Sequence, residues 1–286
     1  MASLTRITTS PSLTFDALVA GEDGAPLVLL LHGFAESMHC WRTQASALAD
    51  MGYRAIAPSQ RGYSPGARPD PADLSNYAFD RLINDVLEIA AAVGYDGKRF
   101  HLVGHDWGGQ VSWGVAGKHP ERLASLTILS RPHPSAFRRA LVMEDGDQKH
   151  RSRHHRAFLD PGTGKMLLEE NARRLREGLF GQGVPQAVLE EHLSVLGNPE
   201  ALEAALAWYR SNQGLAADIG PIKVPTLYIW GDADATVGPD AAYGTGEFVN
   251  AAYAMEVLPS VGHFVMDQAP AKATDLMLAH LKKHPV

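Results

Sequence analysis

The stretch LVGHDWGGQ, residues 102–110, sets Asp106 among glycines at positions 104, 108 and 109. An apolar run ends at Gly104 and a helical pattern begins after Trp107, so Asp106 falls at a sharp strand-to-helix turn that exposes its side chain. A helix start favours an anion, which keeps this carboxylate ionised. Aspartate is also a common helix N-cap. The strand, the tight turn and the flanking glycines together fit a carboxylate nucleophile better than a cap.

Three further stretches hold the groups such a nucleophile would need. LLLHGF, residues 29–34, runs from a strand into a loop, where the Phe34 amide can stand beside that of Trp107 and both can bind an oxyanion. YIWGDAD, residues 228–234, ends a buried strand in two acids. SVGHF, residues 260–264, puts His263 in a loop before the last helix. A histidine needs a carboxylate to fix its tautomer and orientation. Asp234 supplies one, and Asp232 competes for the role unless it bonds the turn backbone instead. Nucleophile, acid and histidine follow one another along the chain in the order that one hydrolase architecture uses.

These stretches need a scaffold that brings distant strand ends together. Short apolar runs at 27–31, 54–57, 100–103, 125–129, 226–230 and 253–258 alternate with helical patterns at 46–51, 77–93, 110–118 and 271–283. That alternation predicts a mainly parallel sheet flanked by helices. Within 77–93, Asp80, Asp85 and Glu88 form a polar face opposite Ile83, Val86, Leu87 and Ile89. The alternation stops at RPHP, residues 131–134, and gives way to charged helical stretches such as KMLLEENARRLREGLF and PQAVLEEHLSVL. We therefore expect a core from 1–132 and 218–286, with a helical insertion at 133–217 above the strand ends where ligands bind.

Composition limits the partners. The chain has 286 residues, 45% of them hydrophobic and 20% charged, with a net charge of −6 and no block of like charge. Nothing in this favours nucleic acid or an anionic membrane, so a small molecule is the expected partner, with a homodimer left open. No apolar run approaches membrane-helix length, and no secretory signal is evident, which predicts a cytoplasmic protein. Cys40 is the only cysteine, which excludes an internal disulfide and suits a packing role. The histidines lack ligand spacing with acids or thiols, so no metal and no cofactor is expected.

Taken together, LLLHGF, VGHDWGG, GDADATVG and VGHF resemble the α/β-hydrolase fold, in its epoxide hydrolase and dehalogenase branch, over nearly the whole chain. The resemblance implies that Asp106, Asp234 and His263 form the triad and that the insertion is a cap. ALAWYRSN, residues 205–212, resembles the cap helix whose tyrosine donates to an epoxide oxygen, which maps onto Tyr209. A second ring-opening tyrosine usually ends a D-x-x-Q-x-x-x-S-x-Y stretch; here Asp145, Gln148 and Ser152 lead to His154, with His155 beside it. A His/Tyr pair resembles a minority branch of epoxide hydrolases. Ala35 stands where that family usually has proline, which implies a less rigid loop.

An aspartate nucleophile narrows the chemistry. Already ionised, it can displace at an sp³ carbon to give an alkyl ester, and His263 is left to activate water against that ester. Attack on an ordinary ester would give a mixed anhydride, which disfavours esterase chemistry. Epoxide opening to a vicinal diol is the expected reaction, with Tyr209 and His154 activating the ring oxygen. The alternatives are a haloalkane or haloacid dehalogenase and a non-catalytic binding protein. Haloacid enzymes of this branch carry arginines one and four residues after the nucleophile, where this chain has Trp107 and Gln110; haloalkane enzymes usually have Asn or Glu where Phe34 stands. An intact triad speaks against a protein that only binds.

Overall fold

The computed structural model of the chain describes residues 2–213 and 219–286. Eight strands form one sheet in the order β1-β2-β4-β3-β5-β6-β7-β8. They are β1 (Ser3–Ser10), β2 (Leu13–Ala20), β3 (Leu27–Leu31), β4 (Arg54–Pro58), β5 (Phe100–His105), β6 (Leu123–Leu129), β7 (Thr226–Gly231) and β8 (Tyr253–Leu258). From β4 to β8 all neighbours are parallel, and β1 and β2 add an antiparallel edge. This is the α/β-hydrolase architecture, and each apolar run read from the sequence is one of its strands.

Strands β3, β5, β6 and β7 are buried along their whole length, as parallel strands covered on both faces must be. Successive side chains alternate between two cores. Leu27, Leu29 and Leu31 join the core that includes Ile83, Val86 and Val111, whereas Val28 and Leu30 join the one that includes Leu48, Met277 and Leu281. Helices α1 (Arg42–Asp50), α2 (Phe79–Ala90) and α3 (Asp106–Lys118) supply residues to these layers.

Between β6 and β7 the described residues form helices and no strand. These are α4 (Pro134–Leu141), α5 (Gln148–Arg151), α6 (Arg153–Ala157), α7 (Thr163–Gly181), α8 (Gln186–Leu196) and α9 (Pro199–Ser211). The expected end of the insertion, Ala217 and Asp218, lies outside the described residues. After β7 come α10 (Pro239–Tyr243), α11 (Val265–Gln268) and α12 (Pro270–Lys283). No described helix is long and apolar enough to cross a membrane.

The structure departs from the sequence reading in three places. The β1–β2 hairpin went unread because β1 is an edge strand whose only buried residue is Ile7. Helix α7 is interrupted at residues 169–172, where Glu170, Asn171 and Ala172 take positive φ, so KMLLEENARRLREGLF is not one continuous helix. Asp85 does not sit on a solvated face. It is buried against Arg61, which donates from Nε at 2.7 Å and Nη2 at 2.6 Å to its two oxygens, a fork-on-carboxylate match that makes its burial tolerable.

Candidate active site

Strand β5 delivers its last residue, His105, directly into α3, and Asp106 is the first helical residue, with φ of 48°. Such a conformation is uncommon outside glycine and marks a side chain held in place by its surroundings. Two glycines permit it. A Cβ on Gly108 would lie 2.2 Å from the Leu31 carbonyl oxygen, and one on Gly33 would lie 2.5 Å from the Asp106 Cβ. Only bare backbone lets the nucleophile turn approach the end of β3 this closely.

The Phe34 amide donates to Asp106 Oδ1 at 3.0 Å, so the donor loop holds its position with Ala35 in place of proline. Trp107 is the second residue of α3, and its N–H belongs to the first turn, where helix amides have no internal acceptor. Burial disfavours the Asp106 charge. A hydrogen bond and positive charge from His263, with His105 and Arg131 behind it, overcome that cost and hold the carboxyl far below its usual range.

His263 Nε2 stands 3.6 Å from Asp106 Oδ2, and its Nδ1 meets Asp234 Oδ2 at 2.8 Å. Asp234 is fully buried, and its Oδ1 accepts from the amides of Thr236 at 2.7 Å and Val237 at 2.9 Å. Asp232 is exposed and accepts instead from the Ser260 amide at 2.6 Å, bonding the turn. The two acids of GDAD therefore divide between orienting the histidine and closing the loop. Burial alone would lower His263, but the Asp234 and Asp106 carboxylates push it up to about 10.

Sequence reading missed the groups that fix the His263 backbone. Its carbonyl accepts from Ser130 Oγ at 2.7 Å and meets His105 Nε2 at 2.9 Å, while His105 Nδ1 meets Glu36 Oε2 at 2.7 Å. His105 is part of the quoted VGHDWGG, but its link to residues 36 and 263 exists only once the loops that follow β3 and β8 meet the end of β5. No metal was expected from histidine spacing, yet the fold brings donor atoms of Glu36, His192 and Asp267 within 4.8 Å of one another. That group lies behind the donor loop, where Ser37 Oγ meets His192 Nδ1 at 3.1 Å.

From the other side, α9 supplies Tyr209. Its ring packs edge-on against Trp107, Phe34 and Phe158, with centroids 5.1, 5.6 and 4.9 Å away. Its neighbour Trp208 donates from Nε1 to the Arg61 carbonyl at 3.0 Å, which fixes α9 to the core. Burial, reinforced by the Asp106 charge, pushes the Tyr209 phenol well above its ordinary value, so it remains a neutral O–H donor.

His154, on α6, lines with Tyr209, Asp106, His263 and Phe34 a cavity of about 340 Å³. His155 turns instead into a neighbouring cavity with Trp107, Gln110 and Arg131. The His154 Nδ1 bonds the Arg151 carbonyl at 3.1 Å, so that nitrogen carries the proton and Nε2 has one to give only in the imidazolium. Burial lowers its pKa, with Asp106 acting in the opposite direction. Gln148 and Arg151 place this segment, because Gln148 Oε1 accepts from the Gly238 amide at 2.8 Å and Arg151 Nη1 donates to the Asp234 carbonyl.

Arg131 was seen in the sequence only as the point where the strand alternation stops. It follows β6 at the carboxyl end of that strand, and its Nε donates to Gln110 Oε1 at 2.9 Å. The absence of arginine at position 110 therefore does not leave this wall without a guanidinium.

The family model described as "alpha/beta hydrolase fold" matches residues 26–270. Epoxide hydrolase 4 of Mus musculus is 31% identical over 95% of this chain and 77% of its own length. Epoxide hydrolase A of Mycobacterium tuberculosis is 31% identical over 92% of each chain. A solved structure from a study of novel epoxide hydrolases in metagenomes from hot environments superposes with a TM-score of 0.85 at 28% identity, covering 98% of this chain and 99% of its own. The Asp-centred turn, the donor loop and the acid-backed histidine lie within the matched span, and the chain belongs to the α/β-hydrolase family, among relatives named epoxide hydrolases.

Proposed function

We propose that the protein hydrolyses an epoxide to a vicinal diol through an alkyl ester of Asp106. The observation that carries this reading is the division of labour on one carboxylate. Asp106 lines the cavity, with Oδ1 held by the Phe34 amide and Oδ2 left towards His263. Oδ2 attacks a ring carbon, the carbon–oxygen bond breaks, and the departing oxygen takes a proton from the Tyr209 hydroxyl. Oδ1 becomes the ester carbonyl oxygen already seated on its donor.

Esterification prepares the next step. In the resting enzyme His263 keeps its proton below about 10, because two carboxylates surround it. Once Asp106 is an ester one of those charges is gone, and His263 gives up its proton by way of solvent, which reprotonates the Tyr209 phenolate and leaves the imidazole as a base. It then takes a proton from water as the oxygen attacks the Asp106 carboxyl carbon. The tetrahedral oxyanion forms at the Phe34 and Trp107 amides, and collapse frees the diol and the carboxylate. Asp234 holds the His263 ring throughout, in its neutral and its charged form.

The test is a His263→Gln variant exposed to neutral epoxides and haloalkanes and followed by intact mass. We expect an adduct weighing one whole epoxide that Asp106→Asn abolishes. A gain equal to the alkyl group after halide loss would assign the site to dehalogenation. No adduct from either class would remove the covalent mechanism.

A further inference from the structure

Across Tyr209 and Trp107 from the nucleophile lies a second cavity of about 570 Å³, walled by aromatic and aliphatic side chains and rimmed by Arg138, Lys149, Arg153 and Arg156. Arg131 stands in its wall. Among the described residues no aspartate or glutamate lines this space, and none forms an ion pair with Arg131.

The wall holds donors without acceptors. Arg131 stacks its guanidinium 4.3 Å from the Phe137 ring centroid and, among the described residues, uses only Nε in a hydrogen bond, the one to Gln110. Gln110 is 1% exposed, and because Oε1 takes the Arg131 proton, Nε2 is left as a buried N–H donor with no partner among the described residues. A buried donor with no acceptor is costly, and Arg131, half-buried, feels the Asp106 charge only from beyond ion-pair distance. A planar anion with two oxygens would satisfy both groups at once, and arginine matches that shape. The aromatic walls suit an uncharged hydrocarbon body behind it.

We infer that the substrate bears a carboxylate, which Arg131 and Gln110 receive in the second cavity while its epoxide ring lies at Asp106. Tyr209 lines both cavities and so marks the boundary between the two ends of the ligand. The rimming cations draw the anion towards the entrance. This inference rests on the epoxide reading above and narrows it to one substrate class.

Styrene oxide para-carboxylate and its para-carboxamide make the test, since they share a ring and an epoxide and differ in charge. At neutral pH the carboxylate should show the higher kcat/KM by about 10- to 100-fold, the worth of hydrogen bonds to a charged group. Arg131→Gln should bring the ratio of the two towards one, and Arg131→Lys should restore part of it. If Arg131→Gln fails to fold, quenching of tryptophan fluorescence in the wild-type protein by para-ethylbenzoate, against para-ethylbenzamide, decides the matter; equal or weaker quenching by the benzoate would overturn the anion site. Turnover of both epoxides with no preference for the acid would overturn it too, while leaving the epoxide reading standing. Halide release from chloroacetate with neither epoxide consumed would overturn the epoxide reading and keep the anion site.

Discussion

The core and the cap hold their reactive groups in different ways. Asp106, Asp234 and His263 lie at or just past strand ends; the Phe34 amide holds Asp106, the Thr236 and Val237 amides hold Asp234, and the Ser130 and His105 side chains hold the His263 carbonyl. Tyr209, from α9, and His154, from the short α6, rest on aromatic edges, with centroids near 5 Å, and His154 adds a bond to the Arg151 carbonyl of its own segment. The core side is thus built to a single geometry around charges that form and vanish. The cap side presents donors at the end of packed surfaces, where a changed side chain alters rate without dismantling the machine.

Substitutions can break or sharpen that contrast. The largest effect belongs to the core: Asp106→Asn and His263→Gln should each lower steady-state turnover on the order of 10⁴-fold or more, the first without adduct and the second with one, read by diol formation and intact mass. Asp234→Asn leaves His263 without its orienting acid and should cost about 10³- to 10⁴-fold, with ester hydrolysis slowed more than ester formation in single-turnover experiments. On the cap side, Tyr209→Phe should slow alkylation about 100-fold and ester hydrolysis much less. Equal slowing of both steps would make Tyr209 a packing residue and erase the contrast.

The smallest effect carries a pH signature. Burial lowers the pKa of His154, so its Nε2 has a proton to give only in acid. His154→Gln should therefore cost more in the alkylation burst towards pH 5, by up to about tenfold, than near pH 8. The burst itself should have no acid limb from Asp106 between those values, because that carboxyl stays ionised throughout. Ester hydrolysis should instead speed up with rising pH, as His263 loses its proton once Asp106 is esterified.

The contrast also explains what the sequence could disclose. A parallel strand covered on both faces is written as a continuous apolar run, so β3, β5, β6 and β7 were readable, and the residues just past each run were readable with it. That is why Asp106, Asp234 and Phe34 could be named from order and spacing. The cap has no such punctuation. His154 and His155 are adjacent in sequence, yet a helix turns them into different cavities, and only coordinates tell which histidine faces the nucleophile. Asp85 matched a polar face by period but is buried on Arg61, a partner 24 positions away. The union of Gln110 with Arg131 likewise depends on the pairing of β5 with β6 and on nothing local.

The hydrogen bond from Trp208 to the Arg61 carbonyl has company: Asn212 donates to the Tyr77 carbonyl at 2.9 Å and Ser211 to that of Leu74 at 2.8 Å. Helix α9 is thereby riveted along its last turn to the same body that carries Asp106. On the proposed mechanism, the Tyr209 donor and the Asp106 carboxylate therefore travel together whatever part of the helical insertion moves to admit a ligand, so access to the cavity can be altered without detuning the reaction inside it.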